Sequence, residues 1–376
     1  MKLNEICDVY SGFAFKEFHK EHNGIPVIKI GNIKNDGTID LKDCYYTVEN
    51  ANKKFVSKSG DIYIALSGAT TGKIGLMKTD GYYVNQRVGI VRLKNNNIPI
   101  PYLCHFLRSK TKQILSDAVG AAQSNISPKD IAKYSFPIKT KDQMISISYE
   151  LMKIDNSIKL KKIQLLSLDE LIKSRFIEMF ETIDLSEERM DWTELKDVTK
   201  IYTGTTPSST DESNWNGNIL WITPAEMNLD SFYIYDTVRK ITEKGRRSKS
   251  LDIMPINTVL LSTRAPIGKV GIVGKPMTCN QGFKNFECCS KLNPIFLYTL
   301  LKNNTEYLNS LGSGTTFLEV SKTKISKLKV PVPPIERQIE FAEFSKQVDK
   351  LKFNVQKEIK NLQELLDKKM QEYFSE

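Results

Sequence analysis

The feature that most constrains this chain is that it repeats itself. "EICDVYSG", Glu5 to Gly12, returns as "DVTKIYTG", Asp197 to Gly204, and "SGATTGKIG", Ser67 to Gly75, returns as "TRAPIGKVG", Thr263 to Gly271. "NQRVGIV" from Asn85 is echoed by "NQGFKNF" from Asn280. "GAAQSNISPKDIAKYSFPI" from Gly120 aligns without a gap on "GTTFLEVSKTKISKLKVPV" from Gly314, and "DELIKSRFIEMF" (Asp169 to Phe180) aligns on "QELLDKKMQEYF" (Gln363 to Phe374). Five matches in one order make a duplicated unit, so whatever one half folds into, the other must approximate.

Each half opens with short runs rich in β-branched residues: "IPVIKI", "DIYIAL" and "VGIVRL" in the first, "NILWIT", "NTVLLST" and "GKVGIV" in the second. Glycine- and Asn-rich turns separate them, the pattern of short buried strands. A long helix then follows, from near Lys141 to Glu181 and again from Glu336 onward. Apolar residues recur at matched positions in both helices: Ile154 and Val348, Leu165 and Ile359, Leu168 and Leu362, Ile172 and Leu366, Phe176 and Met370. Their spacing keeps one stripe on a helix face. Lys161 and Lys352 interrupt it, so neither helix suits a strong coiled coil alone, and the two are expected to pack on each other antiparallel. The division is 1–140 and 188–335 for the strand-rich parts, with helices at 141–187 and 336–376.

With 376 residues, 40% of them apolar, the chain holds more than one ordinary core. A net charge of +10 makes a polyanion the natural partner, nucleic acid ahead of membrane. The six cysteines include no CxxC pair, and His19, His22 and His105 complete no zinc spacing. No run of about 18 apolar residues is present to span a bilayer, and free thiols suit a soluble protein of a reducing cytoplasm.

"SGATTGKIG" invites comparison with a phosphate-binding loop, but only three residues separate Gly68 from Gly72, and Ile74 stands where magnesium chemistry requires Ser or Thr. The second copy has Arg264 in place of the first glycine, and the segment after the loop reads as strand and turn. An adenine-amino methyltransferase motif is missing too, since "PVPPIE" lacks the Asn or Asp before and the aromatic after. No nuclease, serine-elbow or Cys/His constellation is evident. Cys288 and Cys289 read as strand-core thiols and His105, on an amphipathic helix, as a packing residue. All of this points to a binding protein and not an enzyme.

Two tandem halves, each ending in a "G…S…I…P" segment followed by a long helix, resemble the specificity subunit of Type I restriction–modification systems. "KLKVPVPPIERQIEFAE", Lys327 to Glu343, looks like that family's entry into its helical region, with "FPIKTKDQMISI" a worn first copy. The resemblance implies an α+β fold: two tandem strand-rich α/β target recognition domains separated by two long antiparallel, coiled-coil-like helices, with an internal pseudo-twofold repeat. It implies that each domain reads half of a split double-stranded DNA site. The helices, carrying the stripe residues above, would set the gap and dock two modification subunits. Those partners would hold S-adenosylmethionine and transfer methyl to adenine N6, with restriction subunits joining to cleave. This chain would bind no cofactor or metal and would work on DNA in a bacterial or archaeal cytoplasm. Helices on the order of 50 Å long, at 1.5 Å per residue, could hold two readers about one DNA turn apart, roughly 34–36 Å. A coiled-coil adaptor that never touches DNA, and a fused methyltransferase (disfavoured by the missing motif), stay open as alternatives.

The repeat also sorts candidate DNA contacts. Residues shared by both halves cannot distinguish two half-sites, so Lys73 and Lys269, beside Gly72 and Gly268, are assigned to phosphate. Asn85–Gln86 and Asn280–Gln281 suit either base contact or a structural turn. Residues that differ are candidate readers: Arg264 against Gly68, and Arg87 against Gly282, since arginine bonds guanine bidentately. An exposed arginine in a surface ion pair is the competing role for each. Arg246 and Arg247, in "EKGRRSKS", read as a flexible basic loop on the DNA backbone.

Overall fold

A computed structural model describes residues 1–118, 125–187, 189–227, 231–313 and 318–375. The glycine ends of the Gly120/Gly314 repeat and the boundary at residue 188 lie outside these. The chain divides into two compact units: residues 1–159 with 360–376, and residues 160–359. The division passes through the middle of both long helices, not through their starts.

In the first unit, the β-branched runs form strands at Ile25–Ile28, Ile62–Ala65 and Val88–Leu93. Two sheets result, with strand orders 7–11, 88–93, 62–65, 74–76 and 45–47, 25–28, 83–84. The central strand Ile62–Ala65 is buried along its whole length, which is why it reads as a continuous apolar run instead of an alternating one. It pairs antiparallel with both neighbours, Ile62 opposite Val91 and Leu76. Ile28, Tyr63, Val84 and Ile90 meet in the core between the layers.

The second unit repeats this topology. One sheet runs 199–203, 283–288, 259–262, 270–273, and the other 239–241, 215–222, 277–279. It adds one strand, Tyr233–Ile234, parallel to Val270–Val273 at the sheet edge. The two copies of the glycine turn also correspond: Gly72 has φ +81° and Gly268 φ +87°, a region that L side chains rarely enter. At Gly268 a Cβ would also lie 2.7 Å from Thr305 Cγ2.

The long helices span Lys141–Phe180 and Ile335–Phe374. Thr140 and Gln143 start the first by exchanging side chain-to-backbone hydrogen bonds of 3.3 and 3.0 Å, satisfying donors that the first turn leaves open. Glu181, at φ +66°, stops it. Within the first unit, Tyr373 Oη donates to Glu150 at 2.5 Å, and Phe374 packs on Tyr102 and Phe106 at 5.1 and 6.0 Å between ring centroids. Within the second, Phe180 occupies the corresponding place against Phe296, at 4.9 Å. The far end of each helix thus closes the globular part that the other helix follows in sequence. The stripe residues Ile154, Phe176, Val348, Leu366 and Met370 are buried; Leu165, Leu168, Ile172, Ile359 and Leu362 are half-buried. Lys161 and Lys352, which interrupt the stripe, pair in the second unit with Glu358 at 2.6 Å and Asp169 at 2.7 Å.

Candidate nucleic-acid interface

Three segments distant in sequence meet at one end of the larger sheet in each unit. In the first, strand Ile62–Ala65 runs into the turn 66–72. Leu66 N donates to Arg87 O at 2.9 Å, and Leu66 O accepts from Ile126 N at 3.0 Å. The "SGATTGKIG" turn is therefore flanked by the "NQR" turn on one side and by Asn125–Ile126 on the other. It leads into strand Ile74–Leu76, not a helix, so it lacks the helix N-terminus against which a nucleotide phosphate loop works. In the second unit Thr263 N donates to Gly282 O at 2.7 Å and Thr263 O accepts from Val320 N at 2.9 Å, the same arrangement.

Within these turns Asn85 and Asn280 are structural. Asn85 Oδ1 accepts from Arg87 N at 3.2 Å and Asn280 Oδ1 from Gly282 N at 2.9 Å, local bonds that fix the turn. The following residues stand out from it: Gln86, Arg87 and Gln281 are exposed. Gln281 Oε1 accepts from Thr206 Oγ1 at 2.6 Å. Gly282, opposite number of Arg87, is buried, and a Cβ there would press on Pro224 Cγ at 3.1 Å. One unit thus presents a guanidinium where the other has no side chain.

Arg264 sits at the same end but is engaged. Its Nε is 2.8 Å from Glu319 Oε2, and the buried Lys284 ammonium approaches Glu319 Oε1 at 3.6 Å. Burial lowers the Lys284 pKa, and Glu319 opposes that effect. The ion-pair role weighed for Arg264 is thus present in this conformation. The two lysines are not equivalent. Lys269 Nζ donates to Pro224 O at 3.0 Å, an internal bond, whereas Lys73 has no carboxylate partner among the described residues.

Arg246 and Arg247 depart from the sequence reading. They lie on a helix, Glu243–Ser248, capped by Thr242 Oγ1, which accepts from Gly245 N at 3.1 Å. Both pair with Glu243, Arg246 through bonds of 2.7 and 2.9 Å and Arg247 through one of 2.9 Å. This is an ordered turn and not a flexible loop, because Thr242 and Glu243 supply the cap and first-turn carboxylate that start a helix. Cys289 also differs from expectation, being exposed beyond the strand that ends at Cys288. His105 is buried, but it is more than a packing residue, since its Nε2 lies 2.9 Å from Asp155 Oδ2.

Two features depend on packing that the sequence alone does not show. The Arg239 guanidinium lies 3.7 Å from the Trp215 ring centroid, joining residues far apart in the chain. The first long helix, Lys141–Phe180, also carries a second apolar face, with Ile145, Tyr149 and Met152 in the first unit and Leu160, Ile163 and Leu166 in the second, all exposed. Helical spacing shows that such a face exists; only the packing reveals which of the two stripes is left uncovered. Among the described residues no group of side chains could hold a metal ion, and no helix is long and apolar enough to cross a membrane.

Residues 1–168 and 188–364 each match the family described as Type I restriction modification DNA specificity domain. The Type I restriction enzyme MjaIX specificity subunit of Methanocaldococcus jannaschii is 35% identical over 209 residues, covering 54% of this chain and 48% of that protein. The putative MjaX specificity subunit of the same organism is 24% identical over 376 residues, 93% of this chain and 86% of that one. The chain thus spans about half the length of the first relative and most of the second. Among solved structures, a chain from a study of complex assembly and conformational transition of the type I R-M system superposes with a TM-score of 0.58 at 18% identity, covering 100% of this chain and 96% of that one. The Type I restriction–modification S subunit from M. genitalium gives 0.56 at 14% identity, with the same coverage, and these two likenesses speak for the fold.

Proposed function

The chain belongs to the family of Type I restriction modification DNA specificity domains and carries two of them in tandem; from that premise we propose that it is the DNA-reading subunit of a Type I restriction–modification complex. Each unit reads one half of a bipartite site with the sheet end where the three segments meet. The observation that carries this reading is a shared scaffold with divergent tips: the same turns recur in both units, yet Arg87 corresponds to Gly282, and Arg264, bridged to Glu319, corresponds to Ser67, bridged to Asn125, and not to Gly68, because the first turn is one residue longer. A common frame with different exposed side chains is what reading two different half-sites requires. Gln86 and Gln281 stand at both tips, and Lys73 supplies a cation for phosphate. Lys269, Arg246 and Arg247 support that role less, because each is already bonded within the protein.

The long helices then act as an antiparallel, coiled-coil-like spacer relating the two readers by an approximate twofold axis. The stripe holds the helices together, and the uncovered apolar face of Lys141–Phe180 favours docking of two methyltransferase subunits, which supply S-adenosylmethionine. Restriction subunits complete the assembly. The chain itself transfers nothing.

Replacing residues 188–335 with the equivalent part of a relative, and sequencing the methylome of a host carrying the complex, tests the reading. One half of the methylated site changes and the other stays. Alteration of both halves refutes independent reading.

A further inference from the structure

The two units differ at one matched corner, between the sheet edge, the helix after it and the long helix. In the second unit two aromatic rings of the chain occupy this corner, and the pocket left beside them is only about 140 Å³. Phe232 O accepts from Ile272 N at 2.7 Å, and the Phe232 ring packs on Tyr298 with centroids 5.6 Å apart. Beside it, Ser231 Oγ donates to Asp349 Oδ2 at 2.8 Å. In the first unit the equivalent backbone acceptor is Gly37, whose O receives Leu76 N at 3.1 Å. On the helix "IPYLCHFLRS", Cys104 stands where "PIFLYTLLKN" has Tyr298. Two aromatic rings have become a hydrogen atom and a thiol.

What remains is a pocket of about 490 Å³ bordered by Gly37 and Cys104. Its walls include Ile39, Leu76 and Met152, and its polar end is Asp155 with the groups that hold it. Asp155 accepts from Arg108 through bonds of 2.5 and 3.0 Å and faces His105 Nε2 at 2.9 Å, while His105 Nδ1 is 2.7 Å from Pro101 O. The carboxylate is thereby neutralised, and a planar guanidinium is fixed in advance, a group that stacks on aromatic rings and bonds acceptors. A cavity of roughly 150 Å³ takes benzene and ligand sites run to about 300–1,000 Å³, so this volume holds a ring with substituents. Its counterpart shows what such a corner packs against when filled.

We propose that the first unit's pocket is a binding site for an aromatic ring supplied from outside the chain, in the place that the second unit fills with Phe232 and Tyr298. The same chemistry reaches it as a free aromatic molecule or as an aromatic side chain borne by a protein.

The test uses the full chain with methyl-labelled methionine, titrated with p-cresol and separately with N-acetyl-tyrosine amide, followed by NMR. Met77 and Met152 line the pocket and should show saturable ring-current shifts, and Cys104→Tyr, which rebuilds the second unit's filling, should weaken binding at least tenfold. Met77→Leu with Met152 as sole reporter gives the same readout should Cys104→Tyr not fold. Tighter binding of the amide by tenfold supports a protein-borne ring, and equal or tighter binding of p-cresol supports a free ligand. Absence of saturable shifts at both methionines up to the solubility limit, or shifts undiminished in a folded Cys104→Tyr variant, overturns the proposal.

Discussion

Lys352 Nζ lies 2.7 Å from Asp169 Oδ1, so the residue that interrupts the apolar stripe of one long helix is neutralised by the other. Lys352 is buried, whereas Asp169 is half-exposed and also has Lys302 at 3.8 Å. The two partners should therefore respond unequally. Asp169→Ala strands a buried ammonium and should destabilise the second unit by about 1–3 kcal/mol, while Lys352→Met, apolar and of similar length, should stay within about 1 kcal/mol of the parent. All three tryptophans, Trp192, Trp215 and Trp221, lie in the second unit, so urea unfolding followed by their fluorescence isolates it. Equal losses from both substitutions would argue against the asymmetry.

The first unit should carry an acid-sensitive link. Burial pushes the Asp155 carboxyl up, but the hydrogen bonds from His105 and Arg108 outweigh it and hold the pKa at about 2, against 3.8 for an ordinary aspartate. A pKa lower in the folded state gives stability that is fully present above the unfolded value and lost as pH falls through the folded one. The contribution, on the order of 2 kcal/mol, should fade between about pH 4 and pH 2. Asp155→Asn should remove it, so that variant and parent differ at pH 6 and converge near pH 2. Amide exchange in the helix Ile100–Ser109, compared between the two proteins at each pH, reports this; a gap independent of pH would assign the effect to packing.

Arg264 can read a base only by leaving Glu319. Arg264→Ala should relax discrimination at one position of the second half-site by about 1–3 kcal/mol. Glu319→Gln, which releases the guanidinium and removes a carboxylate from the interface, should raise affinity roughly twofold or more, the scale of an exposed ion pair. Binding of a panel of single-base variants to the assembled complex, by fluorescence anisotropy at fixed salt, separates the roles. A loss uniform across sequences makes Arg264 a backbone contact.

Spacing should follow helix length. Ser167 is exposed, between the half-buried Leu165 and Leu168, and four residues inserted after it add about 6 Å at 1.5 Å per residue. The methylated site should then show a longer gap with both half-sites retained. An unchanged gap removes the helices from the measurement of distance.

Local chemistry was the readable part. The strands Ile62–Ala65 and Val88–Leu93 lie where runs of buried β-branched residues put them, and the Lys141–Phe180 helix ends near Glu181 as its periodicity indicates. The exposed tips Gln86, Arg87 and Gln281 follow from comparing the two copies. What escaped depends on partners distant in sequence. The Lys352–Asp169 pair, the Arg264–Glu319 pair and the Lys269–Pro224 bond each join segments that no periodicity relates, so the charges looked free. Arg246 and Arg247 misled for a nearer reason: Gly and Ser in "EKGRRSKS" suggest a loop, and the Thr242 cap and the Glu243 pairs outweigh that weak preference.

The packing of Phe374 on Tyr102 and Phe106 has a consequence for how the protein is made. A ribosome delivers the first unit's sheets early, but residues 360–376, which close that unit, come after everything in the second. The later half therefore has all its pieces first, while Tyr102 and Phe106 wait uncovered. Translation halted near residue 360 would release a finished second half joined to an open first half. That open half would have an affinity for the helix end of a neighbouring copy, a route to exchanged dimers written into the order of synthesis.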